Sequence, residues 1–329
     1  VYKRQVMRRC LAGLLLALPL LYAAEAFSQS DESAQSAVLI TGASSGIGRN
    51  MAETLATNGY FVYAGARKQA DIDELSALDN VMGVRLDVNV QEEIDAAVEL
   101  IRREGRGLYG LVNNAGVAVI APLIEIDEED MFFQMNVNVF GPYRVTRAFA
   151  PLIIESKGRI TTTGSISGIL SGTFFGPYSM SKHAVEAFTD SLAREMRKFD
   201  VEVSVIEPGN YRSAIVDTMM RRMEQLNRTP EGSRYEEELQ GMIDRFTGDG
   251  YDASYEKQPD EVSAALLDFL TDENPKRRYM VVPNERQAEV TIRKAIEELV
   301  ELNERHQYSY SRDELITMLD DALTDDQGR

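Results

Sequence analysis

The chain has 329 residues, 44% hydrophobic and 27% charged, enough for one large domain or two modest ones with a sizeable core. A net charge of −18 excludes a non-specific nucleic-acid binder, which needs a basic face. The single cysteine, Cys10, excludes an internal disulfide framework and a thiolate metal cluster, and two histidines, His183 and His306, leave little for a metal site or a triad; both read as surface residues.

In chain order, Lys3, Arg4, Arg8 and Arg9 precede the apolar run Leu11–Ala24 and then Ala24-Glu25-Ala26, a signal-peptide pattern over residues 1–26. The run is shorter than the about 20 residues a spanning helix needs, though an uncleaved membrane anchor stays open. The leader implies an exported, periplasmic or membrane-anchored protein, or a cytoplasmic one if the start at Val1 is misassigned. Residues 27–36 are polar and low in complexity, the composition of a disordered spacer.

From Ala37 short apolar runs alternate with helical stretches. Strands are predicted at Ala37–Thr41, Tyr60–Ala64, Met82–Leu86, Leu108–Val112, Arg159–Thr163, Glu202–Ile206 and Arg278–Val282. Helices are predicted at Ile47–Asn58, Val90–Glu104, Asp127–Ser156, Pro177–Phe199 and Pro259–Thr271. This alternation without hairpin signals predicts an α/β class, a single Rossmann-type, doubly wound parallel sheet over residues 37–283, with ligands at the carboxyl ends of its strands.

Four strand ends carry chemistry. The first runs into Thr41-Gly42-Ala43-Ser44-Ser45-Gly46-Ile47-Gly48 and a helix, where glycines allow a close turn and the helix N-terminus attracts a pyrophosphate. The second ends in Arg67-Lys68, with no acid before Asp71; an Arg there suits a 2′-phosphate, so NADP is favoured over NAD. The third ends in Asp87-Val88, placing a carboxylate for an adenine amino group, and the fourth in Asn113-Asn114-Ala115-Gly116, small residues that line a crevice.

The helix opening at Pro177 holds Tyr178 and Lys182 four residues apart, so both project from one side. A cation beside a phenol lowers its pKa from about 10 towards neutrality, which makes a tunable acid/base.

Taken together, TGASSGIG at 41–48, NNAG at 113–116, Asn138 in NVNVFG, Ser165 in GSISG, Tyr178-x-x-x-Lys182 and Pro208-Gly209 resemble, in order, the short-chain dehydrogenase/reductase family over about residues 37–283. The 13-residue step from Ser165 to Tyr178 is similar too, and VYAGAR after strand two with a long insert after PGN resembles the 17β-hydroxysteroid and retinol dehydrogenase branch. The resemblance implies an NAD(P)-dependent oxidoreductase with Tyr178 as general acid/base and Ser165 holding the substrate oxygen. Lys182 would lower the Tyr pKa and bind the nicotinamide ribose, and Asn138 would hold a relay water. Pro208 and Gly209 would lie beside the nicotinamide, and Ser213 stands where the family usually has Thr. It also implies a homo-oligomer paired through the helices that carry Asn138 and Tyr178. A dinucleotide-binding sensor without turnover is the alternative.

Between Gly209 and Pro259 lies an insert (about 210–258) in which Ile215, Met219, Met220, Met223 and Leu226 recur at helical spacing. It reads either as a surface helix packing its own stripe or as a lid whose flexible Met side chains, with Phe174 and Phe175, accommodate an apolar ketone or alcohol. Residues 284–329 are predicted as a helical extension, with helices at Gln287–Asn303 and Asp313–Leu323.

Overall fold

Strand periodicity divides the core in two. Leu39, Leu111, Ile160 and Val203 point to one face of the sheet and Val38, Ile40, Val112 and Ile206 to the other, all essentially buried. Each such side chain contributes roughly 1.5–3 kcal/mol of hydrophobic stabilisation. A computed structural model describes residues 35–247 and 257–324. The leader, almost all of the spacer and the end of the insert lie outside the described residues.

The seven strands are β1 (Ala37–Ile40), β2 (Phe61–Ala66), β3 (Val81–Arg85), β4 (Gly110–Asn113), β5 (Arg159–Thr163), β6 (Glu202–Pro208) and β7 (Arg278–Val281). They form one parallel sheet in the order β3-β2-β1-β4-β5-β6-β7. The order reverses between β1 and β4, where diverging connections leave a crevice at the carboxyl ends.

The covering helices are α1 (Gly46–Thr57), α2 (Gln69–Ser76), α3 (Gln91–Glu104), α4 (Glu128–Met135), α5 (Gly141–Glu155) and α6 (Gly176–Met196). They continue with α7 (Ile215–Gln225), α8 (Glu236–Thr247), α9 (Asp260–Thr271), α10 (Glu285–Asn303) and α11 (Arg312–Thr324). Among the described residues no helix is long and apolar enough to cross a membrane.

Three elements depart from the sequence reading, one of them α8, which lies in the insert beyond Leu226 where no helix was predicted. The expected single helix 127–156 is interrupted by a π turn at Asn136–Phe140. Pro142 has no N–H to give the Asn138 carbonyl, and Gly141 packs so close to Val88 that a Cβ would sit 2.8 Å from its Cγ2. Helix α2 was not expected. It is two turns long, and only Ile72 and Leu75 are buried, too short a stripe to show periodicity.

Candidate active site

At the end of β1 the backbone turns through Gly42 at φ +64° and Gly46 at φ +56° into α1. A Cβ on Gly48 would lie 2.3 Å from Asn114 Nδ2 and 2.4 Å from the Gly42 carbonyl, so only glycine fits there. Asn114 Nδ2 donates to the carbonyls of Thr41 (3.0 Å) and Gly42 (3.2 Å), and Thr41 Oγ1 accepts from the N–H groups of Asn114 and Ala115. The turn is thus sewn to the end of β4. Ser45 precedes α1 without capping it through its side chain, so the first N–H groups of the helix stay open towards the crevice.

A cavity of about 500 Å³ runs over these strand ends. Of the residues expected to hold a cofactor, Gly42, Ser44, Ser45, Gly46, Ile47, Gly48, Arg67, Asp87, Val88, Asn114, Ala115, Gly116, Pro208, Gly209 and Ser213 line it, together with Tyr178 and Lys182. A glycine turn closed to any Cβ beneath an open helix N-terminus fits a dinucleotide's pyrophosphate. Arg67 Nη1 lies 3.9 Å from Asp87 Oδ2, and its side chain is 65% exposed at the rim. Asp87 Oδ1 also accepts from Asn89 N–H (2.9 Å), which fixes the carboxylate before any base reaches it.

Ser165 enters from the end of β5 in extended backbone, its Oγ accepting from Ser167 N–H at 3.1 Å. Ser165 and Tyr178 both line the cavity, and the serine hydroxyl is the neighbour that favours the ionised form of the phenol. Lys182 Nζ donates to the Thr163 carbonyl at 2.8 Å and lies 5.5 Å from the Tyr178 ring centre. The side chains of Ser165, Tyr178 and Lys182 therefore converge.

The electrostatics differ from the expectation of a phenol brought towards neutrality by its ammonium neighbour. Burial pushes Tyr178 up to about 12, against a lowering contribution from Ser165, and burial pushes Lys182 down to about 8, against a raising one from Glu186. In the protein alone desolvation dominates both groups, and the ammonium is turned to the Thr163 carbonyl rather than to the phenol oxygen.

Asn138 does not line the cavity. In the π turn its Oδ1 accepts from Val117 N–H (2.9 Å) and its Nδ2 donates to the Val117 carbonyl (3.0 Å) and Ser181 Oγ (3.1 Å). Its side chain ties the strand-four loop to α6. Its carbonyl is the one that Pro142 deprives of an α-helical donor.

Sequence reasoning missed Gln287, whose Oε1 accepts from Asn210 N–H at 2.9 Å and would lie 2.2 Å from any Cβ on Gly209. No local motif signals it, since it reaches the site from α10. Asn284 caps α10 by accepting from Gln287 N–H, an N-cap signal that the sequence reading did not use.

The insert folds over one end of the cavity. Ile215, Val216 and Met219 from α7 line it with Leu170, Phe175 and Phe246, and Met219 is 3% exposed. Phe175 meets Phe246 edge-on at 6.3 Å and Phe174 meets Tyr235 at 5.6 Å. Arg222 on the outer side of α7 donates to Asp130 at 2.6 Å and stacks 3.8 Å from the Phe133 ring centre, which fastens α7 to α4. Met223 and Leu226 turn to a second recess, so the expected stripe is shared between two hollows. His183 is exposed, with its ring Nδ1 2.9 Å from the Ser179 carbonyl.

A doubly wound sheet with a glycine turn at its switch point is the frame of a dinucleotide-binding protein. The sequence profile of short chain dehydrogenases matches residues 36–224. Mitochondrial D-beta-hydroxybutyrate dehydrogenase of Bos taurus is 34% identical over 265 residues, covering 74% of this chain and 76% of that one. The Homo sapiens 17-beta-hydroxysteroid dehydrogenase type 6 is 37% identical over 195 residues, covering 57% and 61%. A short chain dehydrogenase/reductase from Burkholderia phymatum, solved in complex with NAD, superposes with a TM-score of 0.68 at 25% identity, covering 84% of this chain and 98% of that one. The chain belongs to the short-chain dehydrogenase family, dinucleotide-dependent oxidoreductases that act on CH–OH groups.

Proposed function

We propose that this protein interconverts an apolar ketone or aldehyde and its alcohol, with Tyr178 as general acid/base and NADP preferred over NAD. The observation that carries the reading is the convergence of Tyr178, Ser165 and Lys182 at the mouth of an apolar lobe built from Phe175, Ile215, Val216, Met219 and Phe246. The bound nicotinamide supplies or accepts the hydride. Tyr178 gives its proton to the carbonyl oxygen during reduction and recovers it during oxidation. Ser165 Oγ donates to that same oxygen and fixes the substrate. Lys182 leaves the Thr163 carbonyl to hold the ribose hydroxyls, and its charge then stabilises the Tyr178 phenolate. Asn138 holds, through its carbonyl, the water that links Lys182 to solvent. Gly42, Gly46, Gly48 and the start of α1 seat the pyrophosphate, and Arg67 meets the 2′-phosphate.

The apolar lining favours a bulky hydrophobic substrate over a small hydroxy acid, whose carboxylate would need a free cation in the lobe. The test is a panel of steroid-like and retinoid-like ketones and alcohols beside 3-hydroxybutyrate, run with each of the four nicotinamide cofactors on wild type and Tyr178→Phe. Wild-type turnover of the apolar compounds with NADP(H), lost about 10²–10⁴-fold in Tyr178→Phe, is expected. Turnover of 3-hydroxybutyrate alone would overturn the substrate, and a wild type as inert as the variant that still binds cofactor would favour a dinucleotide sensor.

A further inference from the structure

One turn beyond Lys182 on α6, Glu186 is packed against the backbone that flanks Ser165. A Cβ on Gly168 would lie 3.0 Å from Glu186 Oε1, and one on Gly164 would lie 3.4 Å from it. Its other oxygen, Oε2, accepts from Arg278 Nε of β7 at 3.0 Å. Facing it from β6 is Glu207, 2% exposed and immediately before Pro208-Gly209 on the cavity wall. Ile206 points to the other face of the sheet and its carbonyl accepts from Gly164 N–H at 2.7 Å, so strand alternation turns Glu207 to the α6 face beside the same backbone, where each carboxyl acts on the other. Glu186 Oε1 and Glu207 Oε1 are both buried with no N–H or O–H donor.

Two ionised carboxylates are acceptors only, so a buried contact between them has no hydrogen to share and two like charges to separate. The charged groups around them are Lys182 and Asp190 on α6 and Arg278 on β7, with Arg277 4.0 Å from Asp190. Arg278 is divided between Glu186 and Asp190, donating to the latter at 2.9 Å, and so cannot neutralise both glutamates. The 164–168 segment contributes no titratable group.

We propose that Glu186 and Glu207 hold one proton between them, and that this carboxyl–carboxylate bond ties β6 to α6 and positions Ser165 and Lys182. The positioning half rests on the catalytic reading above; the proton-sharing half does not. The three parts it joins are the loop carrying Ser165, the helix carrying Lys182 and the strand end carrying Pro208. Loss of the proton replaces a hydrogen bond with repulsion at their meeting point. Burial first, and then Glu186, pushes Glu207 up to about 8, and burial raises Glu186 as well. A folded-state value raised above the ordinary 4.5 means that the folded protein binds the extra proton, so the associated stability is complete at low pH and is lost as pH rises through about 8.

The test compares wild type, Glu207→Gln and Glu207→Ala, with Glu186→Gln as a second variant, by thermal unfolding from about pH 5 to pH 9 and by infrared absorption at neutral pH. Glutamine keeps a donor towards Glu186 without titrating. Relative to Glu207→Gln, the wild-type Tm is expected to fall as pH rises through about 8, and Glu207→Ala to melt lower than Glu207→Gln throughout. The wild type is expected to show a protonated-carboxyl C=O band that either glutamine variant loses. Parallel wild-type and Glu207→Gln curves with an unchanged infrared band would overturn proton sharing, whatever the activity. With the ketone identified by the substrate panel, kcat of Glu207→Gln is expected to persist to higher pH than that of wild type. Proton sharing with superimposable pH profiles would overturn the positioning role alone, and a failed panel would leave the Tm and infrared results deciding the pair.

Discussion

Lys182 gives its ammonium to the Thr163 carbonyl at 2.8 Å while standing 5.5 Å from the centre of the Tyr178 ring. It is 6% exposed, and burial brings it from the ordinary 10.5 down to about 8. The unfolded chain therefore binds the proton more tightly, so stability rises with pH between about 8 and 10.5. Below that window the buried charge costs about 3 kcal/mol. Lys182→Met is expected to melt above wild type near neutrality, with the gap closing as pH approaches 10.5, and to lose cofactor affinity. Thermal unfolding across pH, with and without NADPH, measures both.

Gly48 has no room for a methyl group, because the obstructing atoms are the Asn114 amide and the Gly42 carbonyl at the turn itself. Gly48→Ala is expected to cost about 1–3 kcal/mol and to weaken cofactor binding at least about tenfold. Denaturant unfolding and fluorescence titration with NADPH separate the two effects. Gly59, where a Cβ would meet nothing within 4 Å, is the control for cofactor affinity: Gly59→Ala is expected to leave it unchanged.

Arg67 is mostly exposed, and its 3.9 Å approach to Asp87 is a weak tie that a 2′-phosphate would displace. Arg67→Ala is expected to weaken NADPH by about 10–100-fold, the worth of a charge-assisted contact, and to leave NADH within about twofold. Equal losses for the two cofactors in equilibrium titrations would sink the assignment of NADP preference to this residue.

Phe140 and Tyr143 lie at 46% and 49% exposure where the π turn meets α5, with Phe132 at 60% on α4. We propose that this patch pairs subunits. Wild type is expected to sediment as a dimer or larger, and Phe140→Glu combined with Tyr143→Glu to shift it to monomer while leaving the far-UV circular dichroism spectrum unchanged. A monomeric wild type would refute the pairing.

The sequence by itself determined the sheet, because buried parallel strands are written as short runs rich in apolar and β-branched residues and all seven were legible within a few residues. It also determined the glycine turn, and the placing of Tyr178 and Lys182 on one side of a helix, since these are local matters of backbone sterics and helical spacing. Only the tertiary structure decided how those groups balance. Desolvation, which depends on everything packed around a side chain, raises Tyr178 where its neighbour alone would have lowered it. Only the fold brought Gln287 to Gly209 across 78 residues and set Glu207 against Glu186, and only the loss of an N–H at Pro142, read together with the packing of Gly141 on Val88, accounts for the break in a helix whose periodicity looked continuous. Contacts between residues distant in sequence leave no periodic trace, so these arrangements became visible when the chain was closed on itself.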